Sequence, residues 1–131
     1  MSEPRPVIAC LGAGRMGRGI AVAFAYAGHD VTMIDIKAGR SEDQFERLKV
    51  ESLDEVRKTL ASLVRIGMLN ESAANSVIAR ISVVPAGGGD HALAGAGIVF
   101  EGVPEVVDLK RDILGAASRS VAPDAIIAST T

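Results

Sequence analysis

Residues 7–36, VIACLGAGRMGRGIAVAFAYAGHDVTMIDI, constrain the fold more than any other part of the chain. Val7 to Leu11 is a short apolar run that ends at a glycine, the pattern of a buried strand. Met16 to Ala27 reads as a helix closed by Gly28 as its C-terminal cap. Asp30 to Asp35 is a second strand, rich in β-branched residues. A strand, a helix and a strand joined this tightly form a βαβ unit, so the two strands run parallel.

The remaining chain repeats the alternation. Ser41 can cap a long helix in which Phe45, Leu48, Leu53, Val56, Leu60, Leu63 and Val64 recur at helical spacing up to about Ile66, where Gly67 stops it. A further helix runs from about Glu71 to Arg80, with Asn70 as a possible cap. The two form a helical hairpin standing partly away from the sheet. Ile81 to Val84, Ile98 to Glu101 and Ala125 to Ser129 are strands three, four and five. Asp90 to Ala94 is one short helix, and Pro104 favours the first turn of another through about Ser118. The result is an α/β fold, a doubly wound parallel sheet in the order 3-2-1-4-5 with a helical hairpin insertion after strand two. Its ligands are expected beyond the carboxyl ends of the strands, around the switch between strands one and four.

Those ends hold the glycine loop. Gly12, Gly14 and Gly17 have the spacing G-x-G-x-x-G between a strand and a helix, and Asp35 ends the next strand. Gly12 permits the tight turn, Gly14 leaves bare backbone for a pyrophosphate, and Gly17 lets the helix approach the strand. The start of the helix offers unpaired N–H groups and a positive dipole end. A carboxylate at Asp35 accepts hydrogen bonds from the hydroxyls of an adenosine ribose and repels a 2′-phosphate. The cofactor expected is therefore NAD rather than NADP, although Lys37 and Arg40 nearby soften that preference. FAD proteins share the fingerprint.

The 131 residues suit one domain, and 48% of them are apolar, enough for a sizeable core. Aromatics are only 3%, so that core must be Ala, Val, Ile and Leu. A net charge of −2 gives no basic footprint for nucleic acid. No apolar stretch approaches the length of a membrane span. A single cysteine, Cys10, excludes an internal disulfide, fits a reducing compartment and points to the cytoplasm. There is no Cys/His cluster spaced for metal and no supported Ser/His/Asp set. His29 and His91 read as turn and loop residues, and Arg15 and Arg18 as solvated helix residues beside the phosphate site.

One other stretch carries chemistry: IVFEGVPEVVDLKRDIL, residues 98–114. Glu101 and Glu105 flank a proline turn, with Lys110 in the next helix. Two readings stand side by side. An acid at this strand end orients the nicotinamide side of the cofactor, or Glu105 caps the helix and Asp108, Lys110, Arg111 and Asp112 form a solvated face.

The glycine loop, the VTMID strand, the long hairpin, the GVPE-x4-K segment and the AST-T after strand five together resemble the NAD-binding domain of the 3-hydroxyacyl-CoA dehydrogenase family. The resemblance runs from about Val7 to Thr131. It implies a Rossmann-type fold over residues 1–131 and a cofactor site made by Gly12, Ala13, Gly14, Arg15, Met16, Gly17, Asp35, Glu105 and Lys110. It implies a substrate contact from Ser52, which matches a serine that touches CoA in some members. Where the family has a lysine seven residues on, this chain has Thr59, with Lys58 adjacent. After strand five the family often reads S-N-T-S, whereas here Ser129, Thr130 and Thr131 end the row. The family's catalytic histidine, its glutamate partner and its helical dimerisation domain lie beyond that point, so the natural domain is expected to continue and to form a homodimer. No catalytic residue is assigned within the chain. The implied reaction is NAD-dependent oxidation of a 3-hydroxyacyl-CoA. Two alternatives remain: a dehydrogenase of a non-thioester 3-hydroxy acid, of the gulonate or carnitine type, and a non-catalytic dinucleotide-binding protein.

Overall fold

All four residues of the strand IACL are buried, which puts that strand at the centre. The computed structural model describes residues 5–102 and 107–129. Their elements are β1 (Ile8–Leu11), α1 (Arg15–Tyr26), β2 (Val31–Ile34), α2 (Glu42–Arg65), α3 (Glu71–Ala79), β3 (Ile81–Val84), α4 (Gly89–Ala94), β4 (Ile98–Glu101), α5 (Val107–Ser120) and β5 (Ile126–Ser129). A 3₁₀ turn over Ala86–Gly88 leads into α4, a detail the periodicity had not indicated.

The sheet has the order β3-β2-β1-β4-β5, and every pairing is parallel. Successive strand residues point to opposite faces, so β1 feeds two cores. Ile8 and Cys10 join Val31, Met33, Val83 and Ala21 on the α1 side. Ala9 and Leu11 join Ile34, Val99, Leu93 and Ala117 on the α4–α5 side. Small residues dominate where helix meets sheet. Ala21 and Ala25 of α1 are wholly buried and let the helix lie close on the strands.

The predicted caps are present. Ser41 Oγ accepts from the Gln44 N–H, and the Gln44 side chain accepts from the Ser41 N–H, making a complete capping box. Asn70 Oδ1 accepts from the Ala73 N–H at 2.8 Å. Gly28 and Gly67 follow the ends of α1 and α2 with φ of +101° and +82°, in the left-handed region that suits glycine there. The α2–α3 hairpin packs chiefly on α1 and on itself. Val56, Leu60 and Val77 tie it into the core. Among the described residues, α5 begins at Val107 and ends at Ser120, two residues later than the spacing predicted. Pro104 and Glu105 lie outside the described residues.

Candidate functional site

The loop between β1 and α1 is fixed by backbone hydrogen bonds on both sides. The Gly12 N–H donates to the Ile34 carbonyl at 2.8 Å, and the Gly102 N–H donates to the Leu11 carbonyl at 3.3 Å. The three glycines serve three different needs. Gly12 sits at φ +110°, where a side chain is strained. A Cβ at Gly17 would collide with the Gly12 carbonyl oxygen, so glycine is required for the close approach of α1 to the loop. A Cβ at Gly14 would meet no atom within 4 Å. Neither backbone strain nor crowding explains Gly14. Bare backbone facing open space is what a phosphate group needs for close approach.

Gly14 is also the N-cap of α1, and it offers no side-chain cap. The first helical bond runs from the Arg18 N–H to the Gly14 carbonyl. The N–H groups of the first turn thus have no intrahelical acceptor, and no acidic residue lies in that turn. An anion placed there would meet both those donors and the positive end of the helix dipole. The geometry of the loop therefore fits a pyrophosphate.

Asp35 follows directly on β2 and is 4% exposed. Its Oδ1 accepts from the Lys37 N–H at 3.1 Å, and its Oδ2 accepts from Arg40 Nε at 2.6 Å. The turn after β2 thus presents a held carboxylate with a cation on one oxygen. A carboxylate has about four lone-pair positions, so these two bonds leave acceptor capacity for a ribose diol. Arg40 offsets part of the charge that would repel a 2′-phosphate. A cavity of about 240 Å³ opens beside it, lined by Lys37, Arg40, Gln44 and Arg47 among others.

On the other side of β1, Glu101 ends β4 with a carboxylate that is 0% exposed. Lys110 Nζ stands 3.2 Å from its Oε1, and Lys110 is itself 18% exposed. That contact is an ion pair by distance, without the alignment of a hydrogen bond. Ser129 Oγ donates to Oε2 at 3.4 Å, from the residue that faces Glu101 in the β4–β5 register. Lys110 is thus paired with a buried carboxylate, while Asp108, Arg111 and Asp112 of the same helix are exposed, as a solvated face expects. Glu105 lies outside the described residues.

Ser52 is 0% exposed on α2, and its Oγ donates to the Ala13 carbonyl at 3.4 Å. That bond links α2 to the glycine loop. Met16 is exposed beside the loop. Arg15 and Arg18 line a cavity between α1 and α2 together with Glu55 and Thr59. His29 Nδ1–H donates to the Pro6 carbonyl at 2.8 Å and its ring packs edge-on to Phe24, a turn role. His91 lies in the last turn of α4. Among the described residues no cluster of His, Cys, Asp and Glu could hold a metal, and no helix is long and apolar enough to cross a membrane.

The family described as 3-hydroxyacyl-CoA dehydrogenase, NAD binding domain, matches residues 7–131. The chain belongs to the 3-hydroxyacyl-CoA dehydrogenase family. Its glycine loop and Asp35 lie within the matched NAD-binding domain, and its cofactor is NAD. An L-carnitine dehydrogenase of Streptomyces coelicolor is 31% identical over 133 residues, covering 100% of this chain and 37% of that protein. A probable 3-hydroxybutyryl-CoA dehydrogenase of Bacillus subtilis is 35% identical, covering 92% of this chain and 38% of that one. The crystal structure of (S)-3-hydroxybutyryl-CoA dehydrogenase from Ralstonia eutropha superposes with a TM-score of 0.81 at 32% identity, over 98% of this chain and 41% of the other. The chain thus spans well under half the length of these members of the family.

Proposed function

We propose that this chain is the cofactor-binding part of an NAD-dependent oxidoreductase that oxidises the 3-hydroxyl of a 3-hydroxyacyl-CoA to the 3-keto product. The observation that carries the proposal is the pairing of an uncapped helix start at Gly14 with a held carboxylate at Asp35, within a chain of this family. Bound NAD supplies the hydride acceptor at C4 of its nicotinamide. In this reading Gly12 to Gly17 hold the pyrophosphate, Asp35 the adenosine ribose, and Glu105 and Lys110 the remainder of the cofactor. In this reading the substrate gives up its C3 hydride to the cofactor and its hydroxyl proton to a general base of the whole protein. The protein is cytoplasmic, consistent with its one buried thiol, and works as a homodimer.

Ser52 is the proposed substrate contact. Its burial means that α2 must part from the glycine loop before the hydroxyl meets a ligand. Ser52→Ala separates two roles. Lost acyl-CoA affinity marks a contact, whereas lost stability of the free protein alone marks a brace.

A second reading is oxidation of a non-thioester 3-hydroxy acid. It is favoured by relatives named L-carnitine dehydrogenase at 31% and 32% identity and by Thr59 at the position of the family's lysine. The experiment is turnover with NAD by the whole protein that carries this chain, with 3-hydroxybutyryl-CoA and L-carnitine compared. A higher kcat/KM for the thioester supports the first reading. A higher value for carnitine supports the second.

A further inference from the structure

A carboxylate with no solvent exposure is costly unless it is paired and hydrogen-bonded. Glu101 meets that condition through two residues brought from different elements, Lys110 of α5 and Ser129 of β5. The alternation along β4 turns Val99 and Glu101 toward the α4–α5 side, while Ile98 and Phe100 pack against the α1 side. An apolar residue at position 101 would extend the α4–α5 core, as Val99 does. The charge therefore has a use other than packing.

Position indicates the use. Asp35 follows β2 and Glu101 ends β4, and these two strands flank β1 on opposite sides. With the pyrophosphate over the loop after β1 and the adenosine ribose at Asp35, the β4 side faces the other half of the dinucleotide. Lys110 is a flexible four-carbon arm with a compact charge. Left alone in water it would sample many rotamers. The buried carboxylate removes that freedom and keeps Nζ at the β4 strand end.

We infer that Glu101 is a positioning residue that holds the Lys110 ammonium at the nicotinamide half of the cofactor cleft. This rests on the cofactor reading above. The role differs from electrostatic tuning in its sign. Removing a negative charge near an anionic cofactor would by itself tighten binding, whereas releasing Lys110 loosens it.

The test is calorimetric binding of NAD and of ADP to the chain, with Glu101→Gln, Lys110→Met and the double variant. ADP carries the adenosine and pyrophosphate but no nicotinamide half. Glu101→Gln is expected to weaken NAD roughly tenfold and to leave ADP within about twofold. On the Lys110→Met background it should add no further loss, because the residue acts through Lys110. Unchanged or tighter NAD binding overturns the inference. So does an equal loss for NAD and ADP, which marks a general structural role, and so does full additivity of the two substitutions. If Glu101→Gln does not fold, Ser129→Ala takes its place, since it keeps the carboxylate and removes the hydrogen bond that Ser129 donates to it. It should give a smaller loss confined to NAD, and a loss shared with ADP overturns the inference. If the unsubstituted chain binds ADP but gains nothing from NAD, Lys110 has no role to position and the inference fails. Binding of neither overturns the cofactor reading itself.

Discussion

At the scale of single residues, the glycine loop separates two effects that a sequence pattern merges. Gly17 is required by packing and Gly14 is not. Gly17→Ala drives a methyl group into the Gly12 carbonyl, and such overpacking costs about 1–3 kcal/mol, read as a lower midpoint in urea unfolding. Gly14→Ala meets nothing within 4 Å, so stability should stay within about 1 kcal/mol, while NAD affinity falls because the methyl occupies the approach to the backbone. Equal stability losses for the two would contradict this division. Cys10 gives a pH-linked expectation. Burial pushes its thiol from 9.0 up to about 12, so it stays protonated in the folded chain. Below pH 9 both folded and unfolded thiols are protonated and no stability is at stake. Between pH 9 and about 12 the unfolded thiol ionises first, and stability falls as pH rises. The matching measurement is thiol labelling at pH 8. The native chain should resist labelling, and denaturant should restore full reactivity.

At the scale of elements, local chemistry made most of the fold readable. Each strand is a run of four residues of which at least three are apolar or β-branched. Ser41, Asn70, Gly28 and Gly67 mark helix ends by mechanisms that act within a few residues. What the sequence could not display were contacts between distant positions. The Glu101–Ser129 pairing depends on β4 and β5 being in register, and the Ser52–Ala13 bond depends on α2 lying across the loop. The Asp35–Arg40 ion pair is closer in sequence, yet it depends on how the turn after β2 folds back. Proximity alone had suggested only a softened preference for NAD. The length of α2 sets a further expectation. Its 24 residues start at a complete capping box. Ser41→Ala removes the acceptor for the Gln44 N–H and should cost about 1 kcal/mol, seen as an earlier thermal transition with unchanged NAD affinity. A loss of affinity in that variant would mean that the hairpin communicates with the cofactor loop.

At the scale of the whole molecule, one topological fact organises the site. The order β3-β2-β1-β4-β5 puts the glycine loop in the middle, with Asp35 on one side and the Glu101–Lys110 pair on the other. An extended dinucleotide lying across the carboxyl ends of the strands would meet all three. The family match over residues 7–131 is to an NAD-binding domain, in keeping with that topology. The central claim is thus that these strand ends bind NAD through the loop and Asp35. Thermal unfolding with NAD, NADP and FAD, on the chain and on Asp35→Ala, tests it most directly. The account predicts that NAD at a hundred times its Kd raises the midpoint by roughly 5–10 °C, that NADP and FAD raise it less, and that Asp35→Ala loses most of the NAD effect. No shift with NAD, or a shift in Asp35→Ala equal to that of the parent chain, would contradict it.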